Sequence, residues 1–232
     1  MIRQVVLDTE TTGLDPDLGD RIVEIGCLEL INHVPTERSF HAYLNPGRPI
    51  SPGASAISGI TDAMLADKPE FAVVADELLA FIADSQLIIH NAPFDLKFLN
   101  AELQRIGESR LEEERVFCTL DCARRKFVGS PASLDALCRR FGIDLSARTK
   151  HGALLDARLL ADVYLELIGG RQPGLLLAEA DGALSADAAI PSGTQRARPT
   201  PLAALITPAE LAAHAAFVAA ELGTKALWSR LA

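Results

Sequence analysis

No stretch of this 232-residue chain approaches the ~20 apolar residues that a membrane helix needs, and its N-terminus lacks a basic-then-apolar leader pattern. Both absences lead to the expectation of a cytoplasmic protein with no membrane contact. Cysteine is scarce. Cys27, Cys118, Cys122 and Cys138 are too irregularly spaced for a disulfide framework or a C-x-x-C zinc site, and read as reduced core residues. Positive charge is also short, with 22 Lys and Arg against 31 Asp and Glu, a net of −9. Residues 1–100 carry the imbalance, with 6 basic and 15 acidic side chains, whereas residues 101–150 carry 10 and 8. Such a chain is a poor free-standing nucleic-acid binder, because phosphate neutralisation by Lys and Arg supplies non-specific affinity. If it handles a polyanion, metals or a partner must bring that polyanion in. What is present in quantity is apolar: 49% of residues, enough for an ordinary core.

Residues 3–9, with Val5, Val6 and Leu7 apolar in succession, read as a short buried strand. "IVEIGCLEL" (22–30) partly alternates apolar and acidic residues, the period of a half-exposed strand, and "SFHAYLN" (39–45) makes a third. Their connections are too short for crossover helices, so an antiparallel meander is expected. Phe71, Val74, Leu78, Phe81 and Ile82 recur at helical spacing. "LIIH" (87–90) is an apolar strand followed by a helix over 94–105. Then come strand-like 115–119, a helix over 133–142 and a long helix ending near Ile168. Mixed strands flanked by helices predict an α/β layer fold. Beyond Gly169–Gly170 periodicity stops, and residues 171–206 read as a flexible linker. Thr207, Pro208 and Glu210 spell a capping box opening a C-terminal helix, with Leu211, Ala215, Val218 and Leu222 along one stripe. A lone helix is marginal in water, so this segment, with Trp228 following, is expected to dock into another protein.

The chemistry begins in "VVLDTETTG" (5–13). Asp8 and Glu10 stand two apart on a strand and therefore project from one face, at or just past its end. A bare D-x-E pair is more often a pair of surface acids or a helix cap. Two further stretches change that balance. "HNAPFD" sets Asp95 just past a buried strand at a helix start, and "KHGALLDA" sets His151 and Asp156 at the start of the last long helix. Four carboxylates gathered in one place repel strongly unless cations sit among them, and hard divalent ions with oxygen ligands, Mg²⁺ or Mn²⁺, answer that need. Two such ions are a standard device for phosphodiester hydrolysis, for which His151 would be the base. Five residues along a helix is a rotation of ~140°, so His151 cannot share a helical face with Asp156. It belongs ahead of the helix, on a mobile approach eased by Gly152 that lets the base swing toward the water.

This constellation resembles the 3′–5′ exonuclease superfamily with four acids and a histidine, built on an RNase H-like fold. The likeness spans residues 3–170 through "LDTETTG", "RIVEIGCLEL", "FHAYLNP", "IIHNAPFD", "SLDALCRRFGID" and "RTKHGALLDARLLADVYLELIGG". Within the superfamily it extends to proofreading members carried by bacterial replicative polymerases. The resemblance implies that Asp8, Glu10, Asp95 and Asp156 ligate two metals, with His151 as general base. It also implies that Thr11, Asn91 and Phe94 seat the terminal nucleotide of a single-stranded or mispaired 3′ DNA end. Relatives often carry a nucleotide-contacting glutamate and histidine where this chain has Gly53 and Ser58, so an altered grip is expected there. In the tail, the resemblance implies a polymerase catalytic (alpha) subunit as partner of residues 207–232. It also implies a weak sliding-clamp contact at Gln172, Leu175 and Leu177, whose "QPGLLL" ends in an aliphatic residue. An RNA-trimming enzyme would have little use for this tail, and a binding module would have little use for so repulsive an acidic cluster.

Overall fold

The computed structural model describes residues 2–146, 148, 150–170 and 206–222, which belong to two compact units divided after residue 177. In the first unit, five strands form one mixed sheet: β1 (Arg3–Thr11), β2 (Ile22–Ile31), β3 (Val34–Tyr43), β4 (Gln86–Ile89) and β5 (Val116–Cys118). Their order is β3-β2-β1-β4-β5, antiparallel across the meander β1-β2-β3 and parallel from β1 to β4 to β5. Helices α1 (Pro52–Ser58), α2 (Asp62–Leu65) and α3 (Phe71–Ile82) connect β3 to β4, and α4 (Ala92–Arg105) connects β4 to β5. Then follow α5 (Thr119–Lys126), α6 (Leu134–Phe141) and α7 (Ala153–Leu167).

Alternation along β1 sorts its side chains between two cores. Val5 and Leu7 pack with Phe71, Leu78, Phe98 and Leu103 of α3 and α4, while Val6 packs with Leu137, Leu160 and Val163 of α6 and α7. The same period of two carries Asp8 and Glu10 onto the face of Val6, the one covered by α7. Both acids lie inside β1 rather than at its end, because pairing with β2 continues to Thr11. β2 was expected to be half exposed, yet nine of its ten residues are buried. It is an internal strand with helices on both faces, and its acids have partners. Glu24 Oε1 lies 2.7 Å from His41 Nε2, and Glu29 accepts from Arg3 Nε at 2.7 Å and Arg38 Nη1 at 2.9 Å.

Helices α1, α2 and α5 were not expected from periodicity. Four to eight residues carry too few turns for a pattern, and capping starts α1 instead: Ser51 Oγ accepts from Ala54 N, with Pro52 in the first turn. In the second unit, α8 (Pro208–Phe217) opens on the expected capping box, with Glu210 N donating to Thr207 Oγ1 and Thr207 N donating to Glu210 Oε2. A π-helical turn over Val218–Leu222 continues it. The linker through residue 205, the clamp-motif residues Gln172, Leu175 and Leu177, and Trp228 lie outside the described residues. Among the described residues, no helix is long and apolar enough to cross a membrane.

Candidate active site

The site forms where β1 and β2 run beneath the first turn of α7. In register, Asp8 stands opposite Gly26 and Glu10 opposite Glu24. Gly26 is obligatory for a steric reason. A Cβ there would lie 2.2 Å from Leu154 N and 2.3 Å from the Ala153 carbonyl carbon, so α7 can begin against the sheet only over a bare backbone. That approach sets Asp156, in the first turn of α7 and 3% exposed, over the strand acids. Asp95 arrives from the other side, in the first turn of α4, where Asn91 turns the chain at φ 63°. Its buried Oδ1 accepts from Thr9 N at 3.1 Å and Thr9 Oγ1 at 2.7 Å.

His151 precedes α7, as its spacing from Asp156 requires. Its Nδ1 lies 3.3 Å from Asp156 Oδ2, and ligand atoms of Glu10, His151 and Asp156 fall within 4.8 Å of one another. The approach is tied down rather than loose: His151 N donates to Ile57 O at 3.3 Å, and Lys150 Nζ to Ala56 O at 2.7 Å. Gly152 sits at φ −161°, extended backbone that any residue adopts, and a Cβ there would make only an ordinary contact 3.9 Å from the Glu24 carboxylate, so the structure gives no steric need for glycine.

Charge crowding follows from this packing. Burial, reinforced by Asp95, Asp156, Glu10 and Glu24, holds the Asp8 carboxyl well above the usual carboxylate range. Burial, with the charges of Asp156, Glu24 and Asp95, pushes Glu10 up to about 8, with Arg148 opposing. Burial raises Asp95 to about 7 against the hydrogen bonds from Thr9. Carboxyls this reluctant to ionise, two from β1 and one from α4, suit divalent cations, because an ion removes the repulsion that holds the protons on. The carboxylate oxygens are hard donors of the kind that fits Mg²⁺ or Mn²⁺.

A pH dependence follows. In the unfolded chain Asp95 and Glu10 ionise near their ordinary values of 3.8 and 4.5, while in the folded chain they keep protons to about 7 and about 8. The metal-free fold is therefore favoured at low pH and loses stability as pH rises through those two values. Its melting temperature should fall between about pH 4 and about pH 8, with saturating Mg²⁺ flattening the fall. Mn²⁺ binding near pH 6.5 should release more protons than near pH 9, as calorimetry in buffers of different ionisation heat would read. Equal proton release at both values would contradict the assignment.

Beside Glu10 opens a cavity of about 320 Å³, lined by Thr9, Thr11, Gly53, Ile57, Leu14 and Phe94. Two of the residues expected to seat a nucleotide, Thr11 and Phe94, are on its wall. Thr11 Oγ1 is turned to Gly13 O at 2.6 Å, and the Phe94 ring packs on Phe98 with centroids 5.0 Å apart. Asn91 is exposed at the head of α4 and is not on that wall. Ser58 is turned away, its Oγ donating to Ala54 O at 3.0 Å and accepting from Ile60 N at 3.2 Å, so it closes the end of α1.

Four participants went unassigned in the sequence. Glu24 is a fifth acid, 2% exposed, visible only once the register sets it opposite Glu10. Arg148 forks onto Asp156. Leu14 and Ile57, 83% and 54% exposed, form apolar cavity wall. An isolated arginine or leucine in a loop carries no pattern that would mark it.

A family model described as Exonuclease, of the RNase T type, matches residues 5–164. The chain is 56% identical over 174 residues to the DNA polymerase III subunit epsilon of Rickettsia conorii, a match covering 74% of this chain and 76% of that one. It is 46% identical over 177 residues to the DNA polymerase III subunit epsilon of Escherichia coli, covering 73% and 72%. Among solved structures, exonuclease X in complex with 5′-overhanging duplex DNA superposes with a TM-score of 0.56 at 30% identity, covering 71% of this chain and 90% of that one. The zinc-bound E. coli exonuclease I–single-stranded DNA complex gives 0.64 at 20% identity over 75% of this chain and 42% of that one, a likeness of fold. The RNase H-like sheet, the acids gathered on it and these identities lead to one assignment: the chain belongs to the exonuclease family, among the proofreading 3′–5′ exonucleases that are epsilon subunits of DNA polymerase III.

Proposed function

We propose that Asp8, Glu10, Asp95 and Asp156 hold a pair of divalent cations, Mg²⁺ or Mn²⁺, and that His151 accepts the proton of the attacking water as 3′-terminal nucleotides are hydrolysed from single-stranded or mispaired DNA. The observation that carries this reading is the convergence of Glu10, His151 and Asp156 ligand atoms within 4.8 Å, beside two further acids held above their ordinary pKa. Bound divalent ions supply positive charge for phosphate oxygens and make water more acidic. The protein's part is positional. Thr9 fixes the Asp95 carboxylate, and the Asp156 carboxylate stands 3.3 Å from His151 Nδ1. The cavity beside Glu10 receives the terminal nucleotide, whose base meets Phe94, Leu14 and Ile57 while Thr11 borders the sugar. A frayed end is preferred because unpairing costs a few kcal/mol in a duplex and least at a mismatch.

The acidic first hundred residues give little electrostatic pull on DNA, so substrate delivery falls to partners. Residues 207–232 bind the polymerase catalytic subunit, and Gln172, Leu175 and Leu177 make a weak clamp contact. Incubation of the full chain with a 3′-mismatched primer should release 5′-mononucleotides from the 3′ end with Mg²⁺ and none with a chelator. A matching RNA oligomer should be cut more slowly. Release that persists without divalent ions, or that starts from the 5′ end, would refute the proposal.

A further inference from the structure

We infer that Arg148 is a built-in cation that competes with divalent metal for Asp156, and that its guanidinium must leave this carboxylate before an ion can be ligated there. The inference rests on the proposed metal site and concerns a residue that site does not use. Arg148 Nε and Nη2 donate to Asp156 Oδ1 and Oδ2, each at 2.6 Å, with the two side chains 8% and 4% exposed. A fork of this kind takes up a lone pair on both oxygens at charge-assisted strength. A divalent ion needs the same oxygens at ~2.1 Å, and a dication beside a buried guanidinium is repelled by it. The two cations are therefore alternatives at Asp156.

The remaining contacts show how the exchange can proceed. Arg148 Nη1 also pairs with Asp135 of α6, whose side chain is 40% exposed. The arm can give up Asp156 and remain anchored at the rim. Nη2 donates in addition to His151 Nδ1 at 2.8 Å. Departure from Asp156 thus also uncouples the imidazole, so loading of the site and release of the base are one event. Until then Arg148 is a positioning residue whose charge lies against Asp156, Asp135, Asp8 and Glu10.

Competition of this kind lowers apparent metal affinity by the fraction of time the fork is open. A fork closed nine-tenths of the time weakens binding roughly tenfold. Titration of the full chain with Mn²⁺ should show Arg148→Gln binding roughly tenfold tighter than wild type. Arg148→Lys, which keeps the charge but cannot fork, should fall between. Unchanged or weaker binding by Arg148→Gln overturns the inference. So does Arg148→Lys matching wild type while Arg148→Gln tightens, because charge alone would then explain the effect. Wild-type protein labelled with ¹⁵N-arginine provides a readout independent of the variants' folding. The Arg148 Nε–H signal should move as Mg²⁺ is added, and an unmoved signal at saturation also overturns it. Wild type that binds no Mn²⁺ at all refutes the metal site itself, whereas binding equal in wild type and Arg148→Gln refutes only the competition.

Discussion

Asp95→Asn should reduce hydrolysis by about 10³-fold while making the metal-free protein harder to melt at alkaline pH. The substitution keeps the shape of the side chain and an oxygen that can still accept from Thr9 N and Thr9 Oγ1, now at 3.1 and 2.7 Å, so α4 stays docked on β1. What it removes is a negative charge aimed at the site. Loss of a single preorganised electrostatic group at a reacting centre costs on the order of 10²–10³ in kcat, and Asp95 is proposed to act on the metal pair itself. The stability effect has the opposite sign. Burial raises wild-type Asp95 to about 7, so above that pH the fold must carry an ionised carboxylate among like charges. Asparagine never ionises. The difference should be smallest below about pH 4, where Asp95 is protonated in both states, and at about pH 9 the variant should melt higher. A variant that is less stable than wild type at alkaline pH, or that keeps substantial activity, would contradict the charge-crowding account.

Gly26→Ala should damage both fold and chemistry through one steric contact. The new methyl would sit 2.2 Å from Leu154 N and 2.3 Å from the Ala153 carbonyl carbon, which are backbone atoms with no rotamer to escape into. Overpacking of a well-filled core costs about 1–3 kcal/mol, and a backbone collision lies at or beyond the top of that range. Relief requires α7 to lift off the sheet at the turn that carries Asp156 and follows His151. A displacement near 1 Å at a reacting centre costs about 10²-fold in rate. Urea unfolding and primer hydrolysis should therefore fall together. Gly53→Ala is the stability control: nothing lies within 4 Å of its added methyl, so its unfolding should shift by no more than about 0.5 kcal/mol. Normal stability and rate in Gly26→Ala would mean that α7 does not begin where it is described.

These two sites differ in how far they could be read in advance. Asp95 is legible because an apolar strand, a turn and a helix start follow one another within ten residues, and local pattern records such neighbours. The same holds for Asp8 and Glu10 on one strand face, for His151 ahead of Asp156, and for the capping box at Thr207 and Glu210. Gly26 looks like any strand glycine. Its necessity arises from a helix more than 120 residues further along the chain. Glu24 misled in the same way. Its alternation with apolar neighbours reads as a solvent-facing acid, but β1 and β3 flank its strand and α7 covers it, so it is buried opposite Glu10.

The sequence by itself determined the antiparallel meander, the α/β layering and the positions of four acids and a histidine at the starts and faces of elements. These depend on periodicity and capping, which act over a few residues. Tertiary structure alone decided that Glu24 joins the acids, that Leu14 and Ile57 wall the cavity with Phe94, and that Arg148 meets Asp156 and Asp135 at once. Charge and contact act across space between distant parts of the chain, so which groups neutralise or crowd one another is settled only when the elements pack.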